Sequence, residues 1–378
     1  MLRSAATVAV FCGGLGLAVG QAATETIVHS FKGGSDGANP EAGVLQVGSN
    51  LYGTTVTGGS ADQGTVFRIY STGHEKVIHA FVGGRDGSSP EGGLVVLNGV
   101  LYGTTTFGGS DNGQGDGTVF GMTNMGTETM LYPFAGGNDG AEPVVGLTKL
   151  GGSLYGVTSA NGQWDAGTVF HITTSGLETP LYSFQNGNDG AYPQGGLAVL
   201  GGRLYGTTTD FGAHNYGMVF RITTAGVEKV IYPFKPGTDA SVPLAAMIDV
   251  NGTLYGTTFN GGANGLGTVF SVTPSGVENV IYSFKGGNDG YNPRSTLFYM
   301  NGVLYGTTES GGGTKDAGTL FSVTPDGGVE HVLYSFAGGT DGQGPSGSLI
   351  LFNNALYGTT YFGGAHGQGT VFAITNFQ

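Results

Sequence analysis

The chain of 378 residues has a single cysteine, Cys12. It lies in an N-terminal segment that reads as removable, so the mature chain is left without a thiol. That excludes disulfides, cysteine-ligated zinc and thiol catalysis. Charge is also scarce, with 13 Lys and Arg against 26 Asp and Glu and a formal net charge of -13. Neutralising a phosphate backbone needs clustered cations, so no nucleic-acid partner is expected. Proline numbers only 13, and the 77 glycines follow no Gly-X-Y period, which excludes collagen and a proline-rich linker. No window sustains a helical period. Low charge combined with 11% aromatic residues is too apolar for a disordered chain and suffices for a core.

Residues 1–23 read as a signal peptide: Arg3 is the early cation, Ala5 to Val19 form an apolar run, and Gly20, Ala22 and Ala23 supply small residues. The run is shorter than the ~20 residues that span a bilayer and no second one follows, so membrane insertion is not expected. Phe11 precedes Cys12 where a lipoprotein signal wants a small residue. The expectation is a secreted or periplasmic protein, a monomer, whose mature domain covers residues 24–378.

Self-similarity dominates that domain. Leu-Tyr-Gly-Thr-Thr begins at Leu51, Leu101, Leu204, Leu254, Leu304 and Leu356, with a Leu-Tyr-Gly-Val-Thr copy at Leu154. Gly-Thr-Val-Phe or a close variant begins at Gly64, Gly117, Gly167, Gly217, Gly267, Gly318 and Gly369. A third motif ends on Phe31, Phe81, Phe134, Phe184, Phe234, Phe284 and Phe336. Between turn signals each unit of about fifty residues holds four β-type runs, A to D. The A–B connection is an Asn-Gly or Gly-Gly pair, the chemistry of a type I′ hairpin. The C–D connection is a short Ser-Gly or Ala-Gly turn. Seven four-stranded meanders predict an all-β, seven-bladed β-propeller. The mature chain opens with a lone D-type run, Thr26 to Phe31, and ends after a C-type run, Thr370 to Thr375. The N-terminal strand is therefore expected to complete the seventh blade. In a meander, successive connections alternate sides, so the long B–C and D–A loops share one face, the expected binding side.

Each D–A loop carries a Gly-Gly-Xaa-Asp-Gly-type turn, giving Asp36, Asp86, Asp139, Asp189, Asp239, Asp289 and Asp341. Ordinary turn chemistry accounts for these carboxylates, with calcium as the alternative. A second acid series, Glu25, Glu75, Glu128, Glu178, Glu228, Glu278 and Glu330, opens each D strand and reads as solvated edge protection. His29 and His79 stand where other copies have Tyr and read as plain outer-strand substitutions. His214 and His366 lie three blades apart, too far for an expected shared metal.

Function is better sought where the copies disagree. The B–C loop of the third blade holds Trp164 and Asp165, and that of the fourth holds Asp210, His214 and Tyr216. Exposed aromatics beside Asp and His suit stacking on a sugar ring and bonding its hydroxyls; the competing reading is that Trp164 fills a gap between blades. A second pair of loops brings Glu309, Lys315 and Asp316 towards Tyr361 and His366. No nucleophile elbow, zincin motif or phosphate-cradling loop is present. The expected role is a non-catalytic binding or scaffold propeller for an extracellular glycan or protein. The alternative is a carbohydrate-active hydrolase or lyase, which would need a carboxylate pair or a Tyr-His pair converging near the pore.

These motifs, from about residue 25 to residue 375, resemble the GloVer tandem repeats. The resemblance implies an exported bacterial protein, often surface-attached through a C-terminal anchor, with no established activity. This sequence ends at Phe377-Gln378, directly after its last strand, so release or periplasmic residence is expected instead.

Overall fold

The computed structural model describes residues 22–110 and 115–377; residues 1–21 of the expected signal peptide lie outside them. Seven antiparallel sheets follow one another around a closed ring, each with the expected A-B-C-D order. The first blade is typical, with strands Leu45–Val47, Asn50–Thr55, Thr65–Ile69 and Glu75–Ala80. Strand A is only three residues long, and the residues before it line the axis.

Closure follows the expected scheme. Strand Thr24–Ser30 pairs antiparallel with Thr370–Thr375, with Ile27 opposite Phe372. Six of the seven A–B turns have two consecutive positive-φ residues, as at Asn98 (53°) and Gly99 (80°), which is the type I′ geometry; in the first blade only Gly48 is positive. D–A and B–C loops share a face and bond to each other: Ala38 N–H donates to the Thr57 carbonyl at 2.9 Å, and Ser88 N–H to Phe107 at 2.9 Å. Among the described residues, no helix is long and apolar enough to cross a membrane.

The repeated letters have specific duties. The Phe ending each D strand is buried and meets, edge to face, the Phe of the next blade's C strand. Phe134 and Phe170 are 5.1 Å apart, and across the closure Phe336–Phe372 and Phe31–Phe67 lie 5.0 and 5.1 Å apart. Each such pair adds roughly 0.5–1.5 kcal/mol beyond area burial. The Gly of Leu-Tyr-Gly-Thr-Thr makes room for that ring: a Cβ on Gly156 would sit 2.4 Å from Phe170 Cζ. A phenyl ring is what excludes a side chain there. The second Thr of this motif bonds the Thr of Gly-Thr-Val-Phe, as in Thr55 Oγ1 to Thr65 Oγ1 at 2.8 Å. The first Thr reaches the next blade's inner loop, as in Thr104 to the Val145 carbonyl at 3.0 Å.

The outer rim corrects one expectation. Each Asp turn reaches back to its own D strand: Asp189 accepts from Gln185 N–H at 3.0 Å and from Tyr182 O–H at 2.8 Å. Ordinary turn chemistry thus occupies the carboxylate. The Glu series is not solvated edge protection, because each Glu is half-buried against the Asp of the neighbouring blade and has a buried oxygen without a hydrogen-bond partner. Burial, then the facing Asp139, pushes Glu178 up to about 7; burial, then Asp341, pushes Glu25 up to about 8. Facing carboxyl groups cannot both ionise cheaply at short range, so one retains its proton.

Candidate functional site at the pore mouth

Immediately after the proline of every D–A loop, the chain turns onto the propeller axis. The residues at that step are Glu41, Glu91, Val144, Gln194, Leu244, Arg294 and Ser346, one from each blade, and all line a central cavity of about 480 Å³. Whereas the packing motifs recur almost letter for letter, these residues are acidic, apolar, amide, cationic and hydroxylic. The residues that follow are small, since the inner loops touch backbone to backbone: a Cβ on Gly43 would lie 2.2 Å from the Ser348 carbonyl oxygen. The wall thus combines one variable residue per blade with smaller or apolar neighbours such as Val44, Leu94 and Leu147.

The charged groups converge on one arc. Arg294 Nη2 donates to Glu41 Oε1 at 2.5 Å, passing the seventh blade's small Ser346, while its Nη1 lies 3.6 Å from Glu309 Oε2. Burial raises Glu41; the Arg294 charge opposes that shift and the Glu309 charge adds to it. Among the described residues no cation is paired with Glu91. Burial, then the charge of Glu41, pushes it up to about 7, and the Arg294 charge only tempers that rise. Tyr361 is raised by burial and by the same two carboxylates, which places it beside them. Two carboxyl groups thus share a recess in unlike environments, one held by a guanidinium and one poised near neutrality. A proton can be stored on Glu91 and exchanged there.

The loop residues singled out from sequence divide around a second cavity of about 690 Å³, between the fourth and fifth blades. Asp210 and Tyr216 line it, together with Asn215 and with Ser241 and Val242 of the fifth-blade loop. Trp164, Asp165 and His214 are not among its lining residues. Trp164 is 50% exposed, so it does not fill a gap between blades. Its carbonyl accepts the Asn186 side-chain amide at 2.7 Å, tying the third-blade loop to the entry of the fourth. Asp165 sits in a left-handed turn with φ of 57°, and His214 is exposed. Gln194 and Leu244 line both cavities, so the side recess opens towards the axis past these two residues.

Of the second loop pair, Glu309 and Tyr361 belong to the pore-mouth cluster, whereas Asp316 is occupied by Tyr291 O–H at 2.9 Å and Gly311 N–H at 2.8 Å. Lys315 and His366 are exposed. Sequence reasoning missed the pore ring because it looked to loops of variable length. The available signal was the residue after each proline, which takes six identities in seven copies beside an invariant proline.

Among curated proteins none matches the chain. Solved structures share the fold at low identity. A proposed 6-phosphogluconolactonase from Bacteroides uniformis superposes with a TM-score of 0.53 at 15% identity, over 84% of this chain and 89% of that one. Puromycin hydrolase does so at 0.56 and 13%, over 86% of this chain and 50% of that one. The extracellular domain of a proposed hybrid two-component system from B. thetaiotaomicron gives 0.59 at 11%, over 92% and 39%. The family model of the Gloeobacter/Verrucomicrobia repeat matches residues 17–136, 71–270 and 243–378. The fifty-residue unit, the seven-fold ring and this match agree: the chain belongs to the Gloeobacter/Verrucomicrobia repeat family.

Proposed function

We propose that this protein is an exported binding propeller that takes a polyhydroxylated ligand, an extracellular glycan, at the pore mouth and along the recess between the fourth and fifth blades. One observation carries the reading: the ring of residues around the 480 Å³ axial cavity abandons the letter-for-letter repetition of the packing motifs around it. Residues that merely close a propeller have no reason to differ from blade to blade. Carboxylates and an amide accept hydroxyl groups, Val144 and Leu244 offer an apolar face to C–H groups, and the half-exposed Tyr216 offers a stacking surface outside. The test is a glycan array on the mature chain, followed by calorimetry of any hit against Glu91→Gln, Gln194→Ala and Tyr216→Ala. Binding that weakens at least tenfold in these variants supports the site; binding unchanged in all three rejects it.

A second reading is a carbohydrate-active hydrolase or lyase, favoured by the unlike pair Glu41 and Glu91. In that case Glu91 gives or takes the proton while Glu41, paired with Arg294, stays ionised. Release of new reducing or unsaturated ends from a bound glycan, lost in Glu91→Gln while binding persists, selects this reading over pure binding.

A further inference from the structure

Two of the seven outer-rim latches differ from the rest, and they are neighbours. In five joints a Tyr hydroxyl donates to the turn Asp, as Tyr132 does to Asp139 at 2.9 Å and Tyr232 to Asp239 at 2.9 Å. At the other two the Tyr is replaced by His. His29 Nε2 lies 3.2 Å from Asp36 Oδ2 and 4.0 Å from Glu75 Oε2. His79 Nε2 lies 3.1 Å from Asp86 Oδ1, with Glu128 alongside. Within each group the three ligand atoms fall within 4.8 Å of one another. These histidines are therefore more than outer-strand substitutions: the fold brings each one to two carboxylates.

We propose that His29, Asp36 and Glu75, and likewise His79, Asp86 and Glu128, form two sites for a divalent transition-metal ion of the Zn2+ type, clasping the outer strands across the ring-closure joint and the joint next to it. The donor set is one imidazole nitrogen and two carboxylate oxygens, which suits Zn2+ and its neighbours and is unlike the all-oxygen shell of six to eight ligands that Ca2+ takes. Tetrahedral ligands about 2.1 Å from a zinc ion stand roughly 3.4 Å apart, so side-chain adjustments of an ångström or less complete the site. Two ionised carboxylates offset the charge of the ion. The partial exposure of His29 and Asp36, 14% and 17% of their side chains, admits water to a fourth position.

The surrounding contacts orient the ligands. Lys32 N–H donates to Asp36 Oδ2 at 2.9 Å, the oxygen that also faces His29, and Val82 N–H donates to Asp86 Oδ2 at 2.7 Å while His79 faces Oδ1; both bonds hold the carboxylate in place. Each Glu also has a buried oxygen without a hydrogen-bond partner, a feature common to all seven joints. Only where His replaces Tyr does a ring nitrogen stand close to both carboxylates, a ligand in the tautomer that leaves Nε2 bare; a phenol stays protonated near neutrality and donates instead. Because His and Asp come from one blade and Glu from the next, an ion held there links two blades. At the first site those are the N-terminal strand and the first blade's outer strand.

The five tyrosine joints provide the control. His29→Tyr and His79→Tyr rebuild a latch that the same protein already uses, so these variants are expected to fold. The tag-free chain is stripped with chelator and dialysed against Zn2+, then against Ca2+ and Mg2+ separately, with bound metal measured per chain. The wild type should hold two Zn2+, each single variant one and the double variant none. Saturating Zn2+ should raise the thermal midpoint on the order of 5 °C in the wild type and leave the double variant unmoved. Glu75→Gln and Glu128→Gln, which keep the His–Asp bond, should each remove one ion. Equal zinc in the wild type and double variant, no zinc retained at micromolar concentration, or a preference for Ca2+ would each overturn the proposal.

Discussion

The outer rim and the pore mouth are built from the same repeat under opposite rules. On the rim, Phe, Tyr, Asp and Glu recur because every joint must bury the same surface, and departure from the pattern is confined to His29 and His79. At the mouth, the residue after each proline changes from blade to blade although the backbone carrying it does not. The difference shows where a repeat protein keeps its stability and where it is free to acquire chemistry: burial between blades tolerates little change, while one position per blade facing the axis tolerates nearly any side chain.

Substitution can break this comparison. Phe170→Ala removes a ring buried against both Phe134 and the space over Gly156. The expected loss is about 3–5 kcal/mol in denaturant unfolding; a loss near zero would mean that the blades do not depend on this contact.

The carboxyl joints should next reveal themselves through pH. Burial and the facing Asp raise Glu178, Glu228 and Glu278 from 4.5 to about 7, and Glu330 to about 8. The native chain therefore keeps protons that the unfolded chain has released, and stability falls as pH rises from 4.5 towards 8. Thermal midpoints measured across that window should decline, and a flat or rising profile would contradict the joint geometry.

A smaller effect is expected for Tyr182→Phe, which deletes the hydroxyl donated to Asp189. It should cost about 1 kcal/mol by chemical denaturation. The smallest loss is expected for Glu91→Gln, which removes a carboxyl raised by burial and the Glu41 charge: by the same method it should cost no stability and should gain slightly as pH rises towards 7. If Glu91→Gln destabilised as much as Phe170→Ala, the mouth would be part of the frame and the contrast would disappear.

The period, the strand order, the type I′ turns and closure by both chain ends were legible in the residues, because each follows from local pattern. The duty of the Glu series was not. Period-two alternation assigns a residue to a face of its own strand, whereas Glu178 meets Asp139 through the angle between two blades. His29 and His79 were misjudged for the same reason, since their partner carboxylates lie seven residues on and in another blade. At the binding face, the loops of Trp164 and Tyr216 were recognisable by their unusual letters, yet the convergence of Glu41, Glu91 and Arg294 depends on a ring that spans the chain from one end to the other.

The pairing of Ile27 with Phe372 sets an order of events during synthesis. The first strand to emerge finds its partner only when nearly the whole polypeptide exists, and bringing such distant ends together unaided would cost about 5 kcal/mol in chain entropy. Blades made from contiguous sequence can assemble beforehand and carry the two ends towards each other. Until then the leading strand waits with its backbone donors and acceptors open, the moment at which this fold is most vulnerable to pairing with another copy of itself.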